Sequence, residues 1–147
     1  MKRNLTVETD VVFHADLATV HRVILDTENY PTYIANITSA DVIHKEKDES
    51  EVSFTAKIAF FSFEYSIKTT KVSDHHITFE QKNGFFRFLN GEWRLKENND
   101  TVEGKYIVNV KLPLFAAGKI VEKALKVYFP AMLNDFKSEI ERSFKEG

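Results

Sequence analysis

The segment Pro113–Phe144 decides the fold, and it reads PLFAAGKIVEKALKVYFPAMLNDFKSEIERSF. After Phe115, apolar residues recur every three or four positions with Lys and Glu between them, which predicts one long amphipathic helix. The predicted apolar stripe comprises Ile120, Val121, Ala124, Val127, Tyr128, Ala131, Met132, Phe136, Ile140 and Phe144. About 30 helical residues span about 45 Å, more than a strand of about nine residues, so this helix must cross several strands. Pro130 must bend or break it.

The sequence between Ile37 and Leu112 predicts six strands in an antiparallel meander, because short polar connections separate apolar alternating segments. The strands are predicted at 37–47, 50–60, 63–72, 75–81, 85–97 and 101–112, with tips at 47–49, 73–74, 82–84 and 98–100. Apolar and polar residues alternate clearly from Val52 to Phe60, which indicates one apolar and one wet face. Gly91 predicts a bulge that bends its strand.

The first 36 residues complete the predicted architecture. Period-two alternation from Leu5 to Phe13 indicates a first strand, and Asp16 is placed to cap a helix that Pro31 ends. A second short helical turn is predicted at 32–35. We therefore expect a single α+β domain over residues 1–147. It has a seven-stranded curved antiparallel sheet, two short helices after the first strand and a long C-terminal helix kinked near Pro130.

Composition excludes several classes of function. The 147 residues carry a net charge of −2 and contain no Cys, so no basic field for nucleic acid, no disulfide and no thiolate metal site is expected. No apolar region follows the charged residues near Met1, which argues against a signal peptide and for a cytoplasmic protein. The chain is nevertheless rich in aromatic residues, with 13 Phe.

Three stretches resemble the START-like helix-grip superfamily, in particular its polyketide cyclase/dehydrase-like, coenzyme Q-binding and ribosome-association toxin branches. The stretches are 11–33, 86–95 with its Gly91-x-Trp93 motif, and 111–142 with Phe129-Pro130 and Glu141-Arg142. The resemblance implies a hydrophobic pocket between sheet and long helix. We expect a carrier or chaperone for a quinone, isoprenoid, lipid or polyketide-like molecule, because that function needs no catalytic residues, and we expect no cofactor. The alternatives are a cyclase/aromatase-type enzyme and a ribosome-associated role in protein interaction, and the oligomeric state is left open.

The predicted strands, the second helical turn, the apolar connection and the long helix supply the candidate pocket residues. They are Tyr33, Phe54, Ile58, Phe63, Tyr65, Ile67, Ile77, Phe79, Arg87, Trp93, Tyr106, Val108, Phe115, Ile120, Ala124 and Tyr128. These side chains would either line a hollow or fill it as a dry core.

The polar candidates each have a second interpretation. Arg87 would bind a carbonyl or carboxylate if it points inward, whereas strand alternation with Phe86 and Phe88 inward would leave it solvated. The Tyr hydroxyls would contact either a ligand or nearby backbone, and Trp93 would be either a pocket wall or a core anchor.

No metal site or catalytic residue is predicted. His75 and His76 are adjacent and would point to opposite faces of a strand, and His14, His21 and His44 have no carboxylate at ligand spacing. No Ser–His–Asp spacing or phosphate-binding loop is present. Whether the protein is an enzyme is left open, with binding favoured.

The connection 112–118 is unusually apolar for a loop. We expect it to border the pocket mouth and to touch either the ligand or a membrane in transient contact. The alternative is a hydrophobic staple that packs the start of the long helix.

Overall fold

The computed structural model describes residues 4–58, 61–116 and 118–147. The elements in chain order are β1 (Asn4–Phe13), α1 (Leu17–Leu25), a 3-10 helix (Thr27–Thr32), β2 (Ile37–Lys45), β3 (Glu49–Ile58), β4 (Phe61–Ser73), β5 (His76–Gly84), β6 (Phe88–Asn98), β7 (Thr101–Lys111), a 3-10 turn (Leu114–Ala116) and α2 (Lys119–Glu146). Seven strands, two short helices and one long helix were predicted, and all are present, but the second short helix lies at Thr27–Thr32 and not at the predicted 32–35. Of the predicted features, positions 59 and 60 of the second meander strand and Ala117 of the apolar connection lie outside the described residues.

The strands form one antiparallel sheet in the order β1-β7-β6-β5-β4-β3-β2. Strands β2 to β7 pair with their sequence neighbours, which confirms the meander, and β1 joins it by pairing with β7 through partners such as Val7 and Val108. The curved sheet and α2 enclose the core between them, which is the helix-grip arrangement.

The one-sided character of the sheet is clearest in β3. Val52, Phe54, Ala56 and Ile58 are buried, whereas Lys57 is exposed. Successive side chains of a strand point to opposite faces, so this alternation places every second residue against α2 and the core. The sheet thus presents an apolar inner face and a polar, solvent-exposed outer face.

Helix α1 begins as predicted but ends earlier. Its N-cap is Asp16, whose Oδ1 accepts a hydrogen bond from the Thr19 backbone N–H at 2.9 Å. The helix ends at Leu25, so the prediction that Pro31 ends it is wrong. Pro31 instead lies inside the 3-10 helix, where the N–H groups of Tyr33 and Ile34 both reach the Tyr30 carbonyl and no N–H from Pro31 is needed.

Helix α2 runs for 28 residues and continues through Pro130. Its buried residues are Leu125, Tyr128, Phe129, Leu133, Phe136 and Ile140. The predicted stripe is therefore partly wrong, because Ile120 and Val127 are exposed. The residues of the buried stripe from Leu125 to Ile140 follow one another at helical spacing, and this is the stripe that faces the sheet.

The connection between β5 and β6 differs from its prediction. Strand β5 continues to Gly84, and residues 85–87 form the turn, so the predicted tip at 82–84 is displaced by three residues. Gly84 has φ 143°, and a Cβ there would lie 2.4 Å from the Tyr65 Cα, so glycine is required. The bulge predicted at Gly91 is not seen over the length of β6, whose register with β5 and β7 is unbroken.

Among the described residues, no helix combines the length and apolar character needed to cross a membrane.

Candidate ligand cavity

A cavity of about 70 Å³ lies between the inner face of the sheet and α2. Nine of its 14 lining side chains are aromatic. The lining residues are Tyr30, Ile37, Phe54, Tyr65, Ile67, Thr69, Phe79, Leu89, Trp93, Tyr106, Tyr128, Phe129, Met132 and Phe136. Apart from the phenols, none of these side chains titrates, so the cavity offers apolar surface and neutral hydrogen-bonding groups.

The aromatic rings pack against one another around the cavity. Trp93 from β6 has its ring centroid 4.8 Å from that of Tyr106 on β7 and 5.3 Å from that of Phe136 on α2. Phe54 from β3 stacks on Tyr30 with 5.7 Å between the ring centroids. Pairs of this geometry add stabilisation beyond the burial of their area, so they help to hold the strands and α2 together around the cavity.

The Tyr128 hydroxyl is the unusual polar group of this cavity. The side chain of Tyr128 is buried, and its hydroxyl has no hydrogen-bond partner among the described residues. The Tyr65 hydroxyl lies close enough to influence its ionisation, although no hydrogen bond of standard geometry joins the two. A buried hydroxyl without a partner costs free energy, about 1–3 kcal/mol in proteins.

Burial keeps the cavity phenols protonated. It raises the pKa of Tyr65 to about 12, an effect that the neighbouring Tyr128 hydroxyl opposes. Burial also raises the pKa values of Tyr106 and Tyr128 well above the usual value, and Tyr65 beside Tyr128 adds to the second of these rises. At neutral pH the three phenols are therefore hydrogen-bond donors.

Two further tyrosines lie at the 3-10 helix. Tyr30, which the sequence analysis did not select, lines the cavity and donates its hydroxyl hydrogen to the Ile24 carbonyl. Tyr33 was selected but lies beside the cavity, with its ring against Tyr30 and Phe136. Its hydroxyl is buried without a partner among the described residues, and burial raises its pKa.

The structure brings together part of the predicted pocket. Seven predicted residues line the cavity, namely Phe54, Tyr65, Ile67, Phe79, Trp93, Tyr106 and Tyr128. Four others, Ile58, Ile77, Val108 and Ala124, belong to the surrounding core or pack on it. Whether the seven bind a ligand stays a prediction.

Arg87 does not reach the cavity. It lies in the turn between β5 and β6, where its side chain is exposed and its backbone N–H donates to the Lys111 carbonyl at 2.8 Å. The inward orientation is therefore wrong. The alternation of strand side chains does not apply to Arg87, because residues 85–87 are not part of a strand. In this turn it is Phe86 that is buried.

Phe63 and Phe115 line a separate groove of about 660 Å³ at the surface. Its other lining residues are Phe61, Ser62, Glu64, Phe85, Ala116 and Val121. Phe115 and Ile120 were predicted to line the pocket, but their side chains are 85% and 69% exposed. The groove adjoins the cavity, because the ring centroid of Phe63 lies 5.5 Å from that of Tyr65.

Carboxylates lie beside several histidines of the described chain: Glu97 is 3.9 Å from His75, Glu92 is 3.1 Å from His76 and Glu46 is 3.1 Å from His44. His44, Glu46 and Glu49 place potential ligand atoms within 4.8 Å of one another at the tip between β2 and β3. The expectation that His44 lacks such neighbours is wrong, because the hairpin folds Glu49 back beside it. The cluster is a surface feature outside the cavity lining, and Glu49 also pairs with Lys68 at 3.3 Å.

Residues 13–137 match the sequence profile of the family described as polyketide cyclase/dehydrase and lipid transport. The chain belongs to this family. No curated protein matches the chain in sequence.

Solved structures support the START-like fold of this family member. The Thermus thermophilus protein TTHA0849 superposes with a TM-score of 0.84 at 16% identity, covering 95% of this chain and 99% of the other. The Zhui aromatase/cyclase from Streptomyces sp. R1128 gives 0.83 at 17% identity, with 95% and 94% covered. A START superfamily protein from Mycobacterium smegmatis gives 0.75 at 14% identity, with 96% and 97% covered.

Proposed function

We propose that the protein binds a hydrophobic small molecule between its sheet and α2 and acts as a carrier or chaperone for it. The observation that carries the proposal is the Tyr128 hydroxyl, which is buried in an aromatic cavity without a partner among the described residues. A ligand carbonyl or hydroxyl would accept this hydrogen bond and remove the cost of the unpaired group. The surrounding rings would bind the apolar remainder.

The ligand class follows from the chemistry of the lining. No carboxylate, histidine or cation lies among the described residues that line the cavity, so a charged ligand would be buried without a counter-ion. A neutral, flat or chain-like molecule with one or two carbonyl or hydroxyl groups fits this lining. Quinones, isoprenoids, lipids and polyketide-like compounds meet that description.

The space that such a ligand needs exceeds the present cavity. Sites for small molecules usually measure about 300–1,000 Å³, against the cavity's 70 Å³. The adjoining groove of about 660 Å³ supplies the additional room. Phe63 lies between the two spaces with its ring centroid 4.6 Å from that of Phe85 and 5.5 Å from that of Tyr65. A rotation of Phe63 would join them into one site.

Trp93 gives a direct test, because it is the single Trp of the chain and lines the cavity. Titration with phylloquinone, oleic acid or emodin should change its fluorescence saturably for at least one of them. Native mass spectrometry should show the same compound bound at one molecule per chain. Organic extraction of freshly purified protein should release a compound of the same class.

A matched pair of variants at Met132 tests the location. Met132 lines the cavity from α2 and is only partly buried. Met132→Phe should occupy the cavity and abolish the fluorescence change, whereas Met132→Leu, which conserves volume, should retain it. If all three compounds leave Trp93 fluorescence unchanged and extraction yields nothing, the binding function is wrong. Binding that is unaffected by Met132→Phe would place the ligand elsewhere.

A cyclase/aromatase-type activity is the second candidate. Tyr65, Tyr106 and Tyr128 could donate hydrogen bonds to a polyketide carbonyl, which is one half of the catalysis that ring closure needs. The other half is removal of a proton from carbon, and no residue in the described cavity lining is a base at neutral pH. The carrier function is therefore favoured. Conversion of a linear polyketide thioester faster than in buffer would reverse this preference.

A further inference from the structure

Three of the most exposed large apolar side chains among the described residues cluster where β7 connects to α2. Leu114 is 77% exposed, Phe115 85% and Ile120 69%, and we call these three residues the apolar tip. Solvent-exposed apolar residues in this concentration mark interaction surfaces. Phe115 also contacts Phe85 edge-on with 6.0 Å between the ring centroids, so the tip borders the groove beside the cavity.

Four cations lie on or beside the segments that flank the apolar tip. Lys119 and Lys123 lie on the first turns of α2, next to Ile120, and Lys111 ends the strand that leads into the tip. Arg87 is held beside Lys111 by the hydrogen bond from its backbone N–H to the Lys111 carbonyl. We call Arg87, Lys111, Lys119 and Lys123 the basic collar.

The basic collar has no neutralising partners in the part of the chain that the structure describes. None of its four side chains forms an ion pair with another residue of 4–58, 61–116 or 118–147. Of the nearby acids, Glu122 is paired with Lys126 at 3.3 Å, and Glu64 lies in the groove. A chain with a net charge of −2 thus carries a local positive surface around its apolar tip.

We propose that the apolar tip and basic collar dock the protein on an anionic lipid bilayer. Leu, Phe and Ile side chains would enter the boundary between headgroups and acyl chains, while the cations would meet lipid phosphates. Lysine is depleted at protein–protein interfaces, so an apolar centre flanked by unpaired lysines fits a membrane better than a protein partner. The inference rests on the proposed function and extends it, because docking here would open the groove towards the lipid from which a hydrophobic ligand comes.

Flotation with ligand-free vesicles tests the docking. The protein should float with vesicles of phosphatidylcholine and phosphatidylglycerol at low salt, and it should be released at about 0.5 M salt because the charges are then screened. Phe115→Ser should lower the partition coefficient about ten-fold. Replacing Lys119 and Lys123 by Gln should lower it about five-fold for each charge removed.

Ile43→Ser is the matched control. Ile43 is 57% exposed on β2, outside the tip, so its replacement makes a similar surface more polar without touching the docking site. It should leave flotation unchanged. Phe115→Ser should also leave the melting temperature unchanged, since the side chain contributes little buried area. A lowered melting temperature would instead identify Phe115 as a staple for α2.

Several results would overturn the docking proposal. The first is the absence of flotation with anionic vesicles. The second is an equal loss of flotation for Phe115→Ser and Ile43→Ser. The third is flotation with pure phosphatidylcholine that the Lys variants do not change. If the protein is a dimer that Phe115→Ser dissociates, and it does not bind vesicles, the partner of the apolar tip would be a second copy of the chain. The cavity lining, as far as the structure describes it, has no charged side chain to pair with a phospholipid headgroup, so these vesicles do not supply the proposed neutral ligand and the outcome is independent of the Trp93 titration. Ligand binding without flotation refutes docking alone, and flotation without ligand binding refutes the carrier function alone.

Discussion

The ring of Phe79 on β5 lies against the backbone of Gly91 on β6. A Cβ added to Gly91 would come within 2.5 Å of the Phe79 Cζ atom and 2.2 Å of the Ile107 carbonyl oxygen. Phe79 lines the cavity, so the absence of a side chain at Gly91 allows this part of the wall to take its position. The Phe79 side chain and the Ile107 backbone thus leave no room for a side chain, so position 91 requires glycine.

Gly91→Ala should therefore destabilise the protein by about 2 kcal/mol or more, measured as the free energy of unfolding in urea. Adding Phe79→Leu should not restore stability, because the Ile107 carbonyl belongs to β7, the strand that pairs with β6, and cannot rotate away. Gly118→Ala is the control, since a Cβ there meets nothing within 4 Å. A Gly91→Ala variant as stable as Gly118→Ala would contradict this explanation.

The N-cap of α1 gives a second prediction. The Asp16 carboxylate accepts the Thr19 N–H at 2.9 Å, and hydrogen bonds from Thr19 lower the pKa of Asp16. Asp16→Ala should lower the free energy of unfolding by about 1 kcal/mol, whereas Asp16→Asn, which keeps an acceptor, should retain most of it. Equal losses for both variants would mean that charge, and not the cap, is what matters.

The strands could be predicted because each carries its own pattern of burial. From Val52 to Ile58 every second residue is buried, and alternation likewise marks β1, which pairs with β7. Asp16 also carries a local signal, an acceptor just before a helix. Features fixed by the nearest few residues were thus readable from the sequence.

The orientation of α2 could not be read in the same way, because this helix is apolar on more than one face. Val127 and Phe129 are both apolar, yet the first is 71% exposed and the second is buried. Local periodicity does not choose between two such stripes, and only docking on the sheet does. This ambiguity is why Phe129 was missed as a cavity residue and Ile120 was wrongly included.

The position of Arg87 depended on a contact that local sequence does not reveal. The Gln81 side chain brackets Phe86, donating to its carbonyl at 2.7 Å and accepting from its N–H at 3.2 Å. These bonds fix the 85–87 turn with Phe86 buried and Arg87 exposed. The unpaired hydroxyl of Tyr128 is similarly a property of the assembled cavity and has no signature in the sequence.

An ion-pair cluster joining β1 to α2 predicts acid sensitivity. Glu141 Oε2 accepts hydrogen bonds from the His14 N–H at 2.9 Å and from Lys137 Nζ at 2.6 Å, and Lys137 also donates to the Val12 carbonyl. Burial acts to raise the pKa of Glu141, but the bonds from Lys137 and His14 outweigh it and leave the pKa lowered.

A carboxylate with a lowered pKa in the folded state stabilises the fold above its unfolded pKa of about 4.3, and this contribution is lost as the pH falls through the folded value. The free energy of unfolding should therefore drop from about pH 5 downwards, and Glu141→Gln should drop less steeply. Urea titrations at several pH values measure this. Glu103→Gln, which alters an exposed carboxylate of β7, should keep the wild-type slope, and a wild-type slope for Glu141→Gln would contradict the assignment.

Tyr128→Phe separates a ligand-binding hydroxyl from a structural one. It removes the unpaired oxygen and keeps the ring, whose centroid lies 5.2 Å from that of Phe129. If the hydroxyl is held ready for a ligand, its removal relieves a desolvation cost, so the ligand-free variant should be as stable as wild type or up to about 2 kcal/mol more stable.

The same substitution should act in the opposite direction on binding. Loss of one hydrogen bond should weaken the affinity for a carbonyl-bearing ligand such as phylloquinone by about five- to ten-fold, measured by Trp93 fluorescence. Tyr106→Phe is a useful comparison, because that ring lines the cavity too. A ligand-independent role predicts the reverse pattern, with lower thermal stability and unchanged affinity. Only a gain or no loss in stability combined with weaker binding is consistent with a hydroxyl whose partner is the ligand.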